Sequence, residues 1–122
     1  MIARVFVYGT LMPGQPRWRL LEPYAVGEHV RDQVAGRLID TGCGYPGLVE
    51  LGGASLVQGW VVALADDRLT EALDRLDEIE GTEVGLYARE RVITAGGRVC
   101  WTYRYLQAAD AMTDLGGVWG WV

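Results

Sequence analysis

Arg4-Val5-Phe6-Val7-Tyr8 is an apolar, β-rich run that stops at Gly9-Thr10, which predicts a buried first strand ending in a loop. From Met12 to Arg31 the order of apolar and polar positions is irregular, and Pro13, Gly14, Pro16, Pro23 and Gly27 interrupt it. That stretch predicts loop, with at most a short helix near Trp18 to Leu21. Val34 to Ile39 and Gly47 to Leu51 predict a second and a third strand. Alternation is weaker from Ser55 to Leu64, but Val57, Trp60, Val61 and Val62 favour a strand there too. Tyr87 to Ile93 and Arg98 to Leu106 follow, joined around Ala95-Gly96-Gly97, a hairpin turn signal. The tail from Ala108 carries no clear period.

A helical period stands out in one place. Arg68 to about Glu80 predicts a helix, capped by Asp66 or Asp67 and ended by Gly81. Five to seven strands with one main helix predict an α+β fold, a small mixed sheet curled over the helix or closed as a barrel. No repeat or linker divides the chain, so residues 1–122 are expected to form a single domain.

The helix holds the first candidate for chemistry. At about 100° per residue, Leu69, Leu73 and Leu76 fall near 0°, 40° and −20° and define an apolar stripe. Glu80 falls at about 20°, inside that stripe, while Glu71, Asp74 and Glu78 lie opposite. It also stands at the helix C-terminus, where the macrodipole disfavours an anion. If Glu80 is buried, both effects raise its pKa toward the range of a working general acid/base. The alternative is a helix that frays at Ile79, leaving Glu80 in water. Asp77 lies about 80° round, at the edge of the stripe, and is expected to be structural.

Composition narrows the chemistry further. The net charge is −5, and a duplex-binding domain normally carries a basic face, so no nucleic-acid partner is expected. No apolar run approaches the ~20 residues needed to cross a bilayer, and the N-terminus lacks the features of a signal peptide, so a cytoplasmic protein is expected. The chain has no lysine and no asparagine, one serine (Ser55) and one histidine (His29). Schiff-base chemistry is therefore excluded, and Ser55, in Gly53-Ala54-Ser55-Leu56-Val57, lacks the second glycine of a nucleophile elbow. A lone His29 with Cys43 and Cys100 cannot build the usual zinc cluster, so no metal and no cofactor is expected. Both cysteines are expected to be free thiols. Gly42-Cys43-Gly44-Tyr45-Pro46-Gly47 spells G-x-G-x-x-G, but Pro46 and the strand that follows make it a turn. Trp101, Tyr103 and Tyr105 are expected in the core, Arg89 and Arg91 in rim ion pairs, and His29 in an exposed loop. Oligomeric state is not readable, although Trp119 and Trp121 are candidate interface residues. Proton chemistry must come mainly from carboxylates or tyrosines.

A strand ending in glycine and a small hydroxyl residue, as Val7-Tyr8-Gly9-Thr10-Leu11 does, exposes consecutive backbone N–H groups that can hold a carboxylate or an oxyanion. It can equally be an ordinary turn. Tyr8-Gly9-Thr10-Leu11 followed by Gly14-Gln15-Pro16 resembles the opening signature of gamma-glutamylcyclotransferase-like proteins, above all their gamma-glutamylamine cyclotransferase branch. The resemblance continues through Gly36-Arg37-Leu38, Tyr45-Pro46-Gly47-Leu48-Val49, Val57-Gln58-Gly59-Trp60-Val61, Leu73 to Glu80, and Leu86-Tyr87-Ala88-Arg89. It covers most of the chain, but between Gln15 and Arg31 only Gln15-Pro16 matches.

The resemblance implies a small mixed barrel with flanking helices, a catalytic glutamate at Glu80, a substrate-binding loop at Tyr8, Gly9, Thr10 and Leu11, and a site tyrosine at Tyr87. It implies an enzyme acting on a small γ-glutamyl substrate without a cofactor. The substrate's own α-amino group attacks its side-chain carbonyl, closing 5-oxoproline and expelling an amine. Glu80 then shuttles the proton, and Gly9 lies where a side chain would obstruct the substrate. Two alternatives stay open: removal of a γ-glutamyl mask from a biosynthetic intermediate, and a binding protein that kept the fold without turnover.

Overall fold

The computed structural model describes residues 1–107 and 113–119. Its strands are β1 (Arg4–Val7), β2 (Val30–Ala35), β3 (Arg37–Asp40), β4 (Pro46–Val49), β5 (Leu56–Ala63), β6 (Tyr87–Ile93), β7 (Val99–Tyr105) and the short β8 (Thr113–Asp114). Two helices join them, α1 (Trp18–Leu21) and α2 (Leu69–Glu80). The fold is α+β, as expected. A five-stranded mixed sheet runs in the order β2-β5-β1-β7-β6, and a small sheet runs β4-β3-β8. The β1–β7 pairing is parallel and the others in the large sheet are antiparallel.

The expected strand across Val34 to Ile39 is two strands, one in each sheet. The chain turns at Gly36, where a Cβ would lie 2.8 Å from Leu48 Cδ1 and 3.2 Å from the Val49 carbonyl. A side chain there would push β4 away, so glycine permits the crossing. With β8 added, eight strands result rather than five to seven. The expected loop also ends early, because β2 begins at Val30.

Alternation along β1 builds two cores. Val5 and Val7 face the one that receives Leu69, Ala72 and Leu76 of α2. Phe6 and Tyr8 face the other, which Leu38 and Leu48 of the small sheet cover. The interior strand β7 is buried on both faces, with Tyr103 and Tyr105 in the first core and Cys100 in the second. Cys43 is exposed and Cys100 buried, and both are free thiols. Trp119 is half-buried and packs against both cores, while Trp121 lies outside the described residues.

The large sheet curls until its ends meet. Asp32 on the edge strand β2 is buried and accepts from Gly96 N–H (3.0 Å), Arg98 Nη1 (3.0 Å) and the Thr94 hydroxyl, all in the β6–β7 hairpin. The Ala95 N–H donates to the Gln33 carbonyl at 2.8 Å. These donors hold the Asp32 carboxyl below its usual pKa, against the opposing effect of burial. Neither Asp66 nor Asp67 caps α2: both sit in a 3-10 turn, Arg68 takes the cap position, and no side chain bonds there. Gly81 ends the helix as expected, at φ 71°, and donates to the carbonyls of Asp77 and Glu78.

Candidate active site

Five segments converge on one cleft: the end of β1 with Gly9 to Leu11, the C-terminus of α2, Tyr45-Pro46, Tyr87 on β6 and Tyr103 on β7. With its open mouth the cleft encloses about 330 Å³. Every predicted site residue lines it: Tyr8, Gly9, Thr10, Leu11, Glu80 and Tyr87. Tyr45, Pro46 and Tyr103 join them.

Glu80 is half-buried in the last turn of α2, which does not fray. Loss of hydration raises its pKa to about 7, and the nearby Arg17 guanidinium partly opposes the rise. No hydrogen bond holds its carboxylate among the described residues, so a proton can come and go.

The tyrosine hydroxyls around it are committed to the protein. Tyr8 donates to the Tyr103 carbonyl at 2.6 Å and accepts from the Leu48 N–H at 3.3 Å. Tyr87 donates to the Pro46 carbonyl, and Tyr103 donates to Asp77 Oδ1 at 2.6 Å. Burial is the main cause that drives all three phenols far above their ordinary pKa. Among these lining groups Glu80 alone titrates near neutrality. Tyr8 and Tyr87 therefore act as struts, clamping β1, β4 and β7 around the cleft.

The loop after β1 is a set of locked turns. Met12 N–H donates to the Gly9 carbonyl at 3.0 Å, Gln15 N–H to Met12 at 2.9 Å, and Arg17 N–H to Thr10 at 2.8 Å. Among the described residues nothing accepts from the N–H groups of Thr10 and Leu11. Gly9 also meets a tight contact within the protein. A Cβ there would strike Pro46, at 2.7 Å from Cγ and 2.8 Å from Cδ, which is the wall of the cleft and not its open space.

Asp77 is structural, as expected, and its role is specific. One helical turn before Glu80, its Oδ1 receives the Tyr103 hydroxyl and lies 3.0 Å from Arg89 Nε. Tyr103 was expected in the core and is there, with its ring edge on the cleft. Arg17 carried no sequence signal, because its segment has neither period nor motif. His29 is exposed and stacks edge-on between Trp18 and Trp60. The Gly42 to Gly47 stretch is a turn leading into β4.

A carboxylate of raised pKa thus lines one cleft with the turn after β1, on a curled mixed sheet. The chain belongs to the family described as gamma-glutamyl cyclotransferase, AIG2-like, whose sequence profile matches residues 5–120. Over 109 residues it is 35% identical to the gamma-L-glutamyl-butirosin B gamma-glutamyl cyclotransferase of Niallia circulans, a match that covers 83% of this chain and 65% of that relative. The chain thus spans about two thirds of that relative's length. Solved structures share the fold. An AIG2-like protein from Mus musculus superposes with a TM-score of 0.73 at 21% identity, covering 95% of this chain and 87% of that one. The ytfP protein of Escherichia coli gives 0.59 at 30% identity, covering 95% of each chain.

Proposed function

We propose that this chain releases 5-oxoproline and a free amine from a γ-glutamyl compound, with Glu80 as general acid/base. The observation that carries the reading is the position of Glu80: half-buried, unbonded, with a pKa near 7, beside the N–H groups of Thr10 and Leu11. The substrate's α-amino nitrogen attacks its own γ-carbonyl carbon, and Glu80 takes the proton that the nitrogen sheds. The Thr10 and Leu11 N–H groups hold the oxyanion or the substrate carboxylate. The C–N bond to the leaving group then breaks as Glu80 returns the proton to the departing nitrogen. The nucleophile belongs to the substrate, which suits a cleft without serine, cysteine nucleophile or lysine. Holding the substrate folded supplies much of the rate, because ring closure gains heavily from orientation.

The name of the Niallia circulans relative favours a second reading, in which the same chemistry unmasks a γ-glutamyl-protected intermediate. Both readings share one test. Glu80→Gln preserves shape but cannot carry a proton, so 5-oxoproline release should fall by about 10²–10⁴-fold while the thermal melt is kept. A variant that melts normally and turns over at the wild-type rate would falsify the assignment of Glu80, whereas a wild-type protein that releases no 5-oxoproline would leave a binding protein as the better reading.

A further inference from the structure

We propose that Arg17 sets specificity for the leaving group, selecting γ-glutamyl compounds whose departing amine carries a carboxylate beside the scissile nitrogen, such as γ-glutamyl amino acids and peptides. The proposal rests on the cyclotransferase reading and deepens it.

Arg17 stands at the mouth of the cleft. Its guanidinium lies over the Tyr45 ring, 5.7 Å from the centroid, and Tyr45 is one wall of the cavity. Its own backbone N–H is tied to the Thr10 carbonyl at 2.8 Å, so the cation is anchored to the turn that supplies the free N–H pair. The charge is felt inside, since it lowers the pKa of both Glu80 and Tyr45 against the effect of burial. Yet Arg17 enters none of the ion pairs found among the described residues, although it is half-buried. A guanidinium held over an aromatic ring, and outside the ion pairs found among the described residues, is poised to take a carboxylate.

Position decides which carboxylate. Arg17 does not line the cavity itself, where the reacting head group must lie between Glu80 and the Thr10–Leu11 donors. Outside the cavity the substrate continues as its leaving group. In a γ-glutamyl amino acid the leaving group's α-carboxylate is two bonds from the scissile nitrogen, within reach of the mouth. A leaving group bearing extra ammonium groups meets like charge there instead.

The test compares γ-glutamyl-alanine with γ-glutamyl-ethylamine, which differ only by the leaving group's carboxylate, and adds a γ-glutamyl diamine. Wild type should favour γ-glutamyl-alanine over the ethylamide in kcat/KM by on the order of 10-fold or more, with the diamine poorest. Arg17→Gln should bring that preference close to unity by lowering kcat/KM for γ-glutamyl-alanine. Equal wild-type turnover of the first two substrates overturns the proposal while leaving the cyclotransferase reading intact. So does an Arg17→Gln variant that loses activity equally on both, since the guanidinium then serves the head group. Absence of 5-oxoproline from all three substrates removes the cyclotransferase reading, and this proposal with it.

Discussion

Glu80 shows how one residue can be read twice from sequence and settled once by structure. The helical wheel put it in the apolar stripe, but a frayed helix end was equally compatible with the pattern. The tertiary fold packs the last turn of α2 against the cleft, and dehydration raises the pKa to about 7. Two outcomes follow at this scale. Because Glu80 must be ionised to accept a proton, kcat/KM should rise with pH through about 7, an acid limb visible in a pH profile and missing from any residual activity of Glu80→Gln. The stability effect has the opposite sign. A carboxyl whose folded pKa is raised contributes stability fully present below its unfolded pKa near 4.5 and lost as pH rises through about 7. Glu80→Gln should therefore melt like wild type at about pH 4.5 and several degrees higher at pH 8, where wild type holds a half-buried charge. Equal melting temperatures at both pH values would show Glu80 to be solvated.

Elements meet at points where a methyl group has no room. Gly59 in β5 would place a Cβ 2.3 Å from the Val7 carbonyl and 2.6 Å from Phe6 Cζ. Gly59→Ala must separate β5 from β1 or distort both, and should cost about 3 kcal/mol or more, read from denaturant unfolding. Gly9→Val acts on the site itself. It displaces Pro46, whose carbonyl accepts the Tyr87 hydroxyl, so activity should vanish even in a variant that still melts cooperatively. Normal turnover by Gly9→Val would mean that the turn does not shape the cleft. Both glycines sat in quoted sequence motifs. What they touch could not be read there, because the contacts cross 37 residues at Gly9–Pro46 and about 50 at Gly59–Val7.

Across the whole molecule, closure of the sheet depends on a charge far from the site. Asp32 joins the β2 edge to the β6–β7 hairpin, and its depressed pKa means that this link is complete above about 3.8 and is lost as pH falls. Asp32→Ala leaves the Arg98 guanidinium and the Gly96 N–H without their acceptor, and should lower stability by about 2–4 kcal/mol in urea unfolding. Glu80 chemistry should survive, since the link is formed at the hairpin and not at the cleft. Loss of turnover in a still-folded Asp32→Ala protein would mean that the sheet's closure also shapes the site.

The sequence by itself determined the local elements, namely the β-rich runs and the helix with its glycine stop, and an inventory with no lysine, one serine and one histidine. Those properties depend on each residue's near neighbours and on composition, which a linear pattern contains. Tertiary structure alone decided that Val34 to Ile39 breaks at Gly36 between two sheets, that the Tyr8 and Tyr87 hydroxyls are spent on distant backbone, and that Arg17 stands over Tyr45 without an ion pair among the described residues. Each depends on hydration removed, or partners supplied, by segments remote in the chain, and the hydrophobic pattern along a strand is the same whichever neighbour finally covers it.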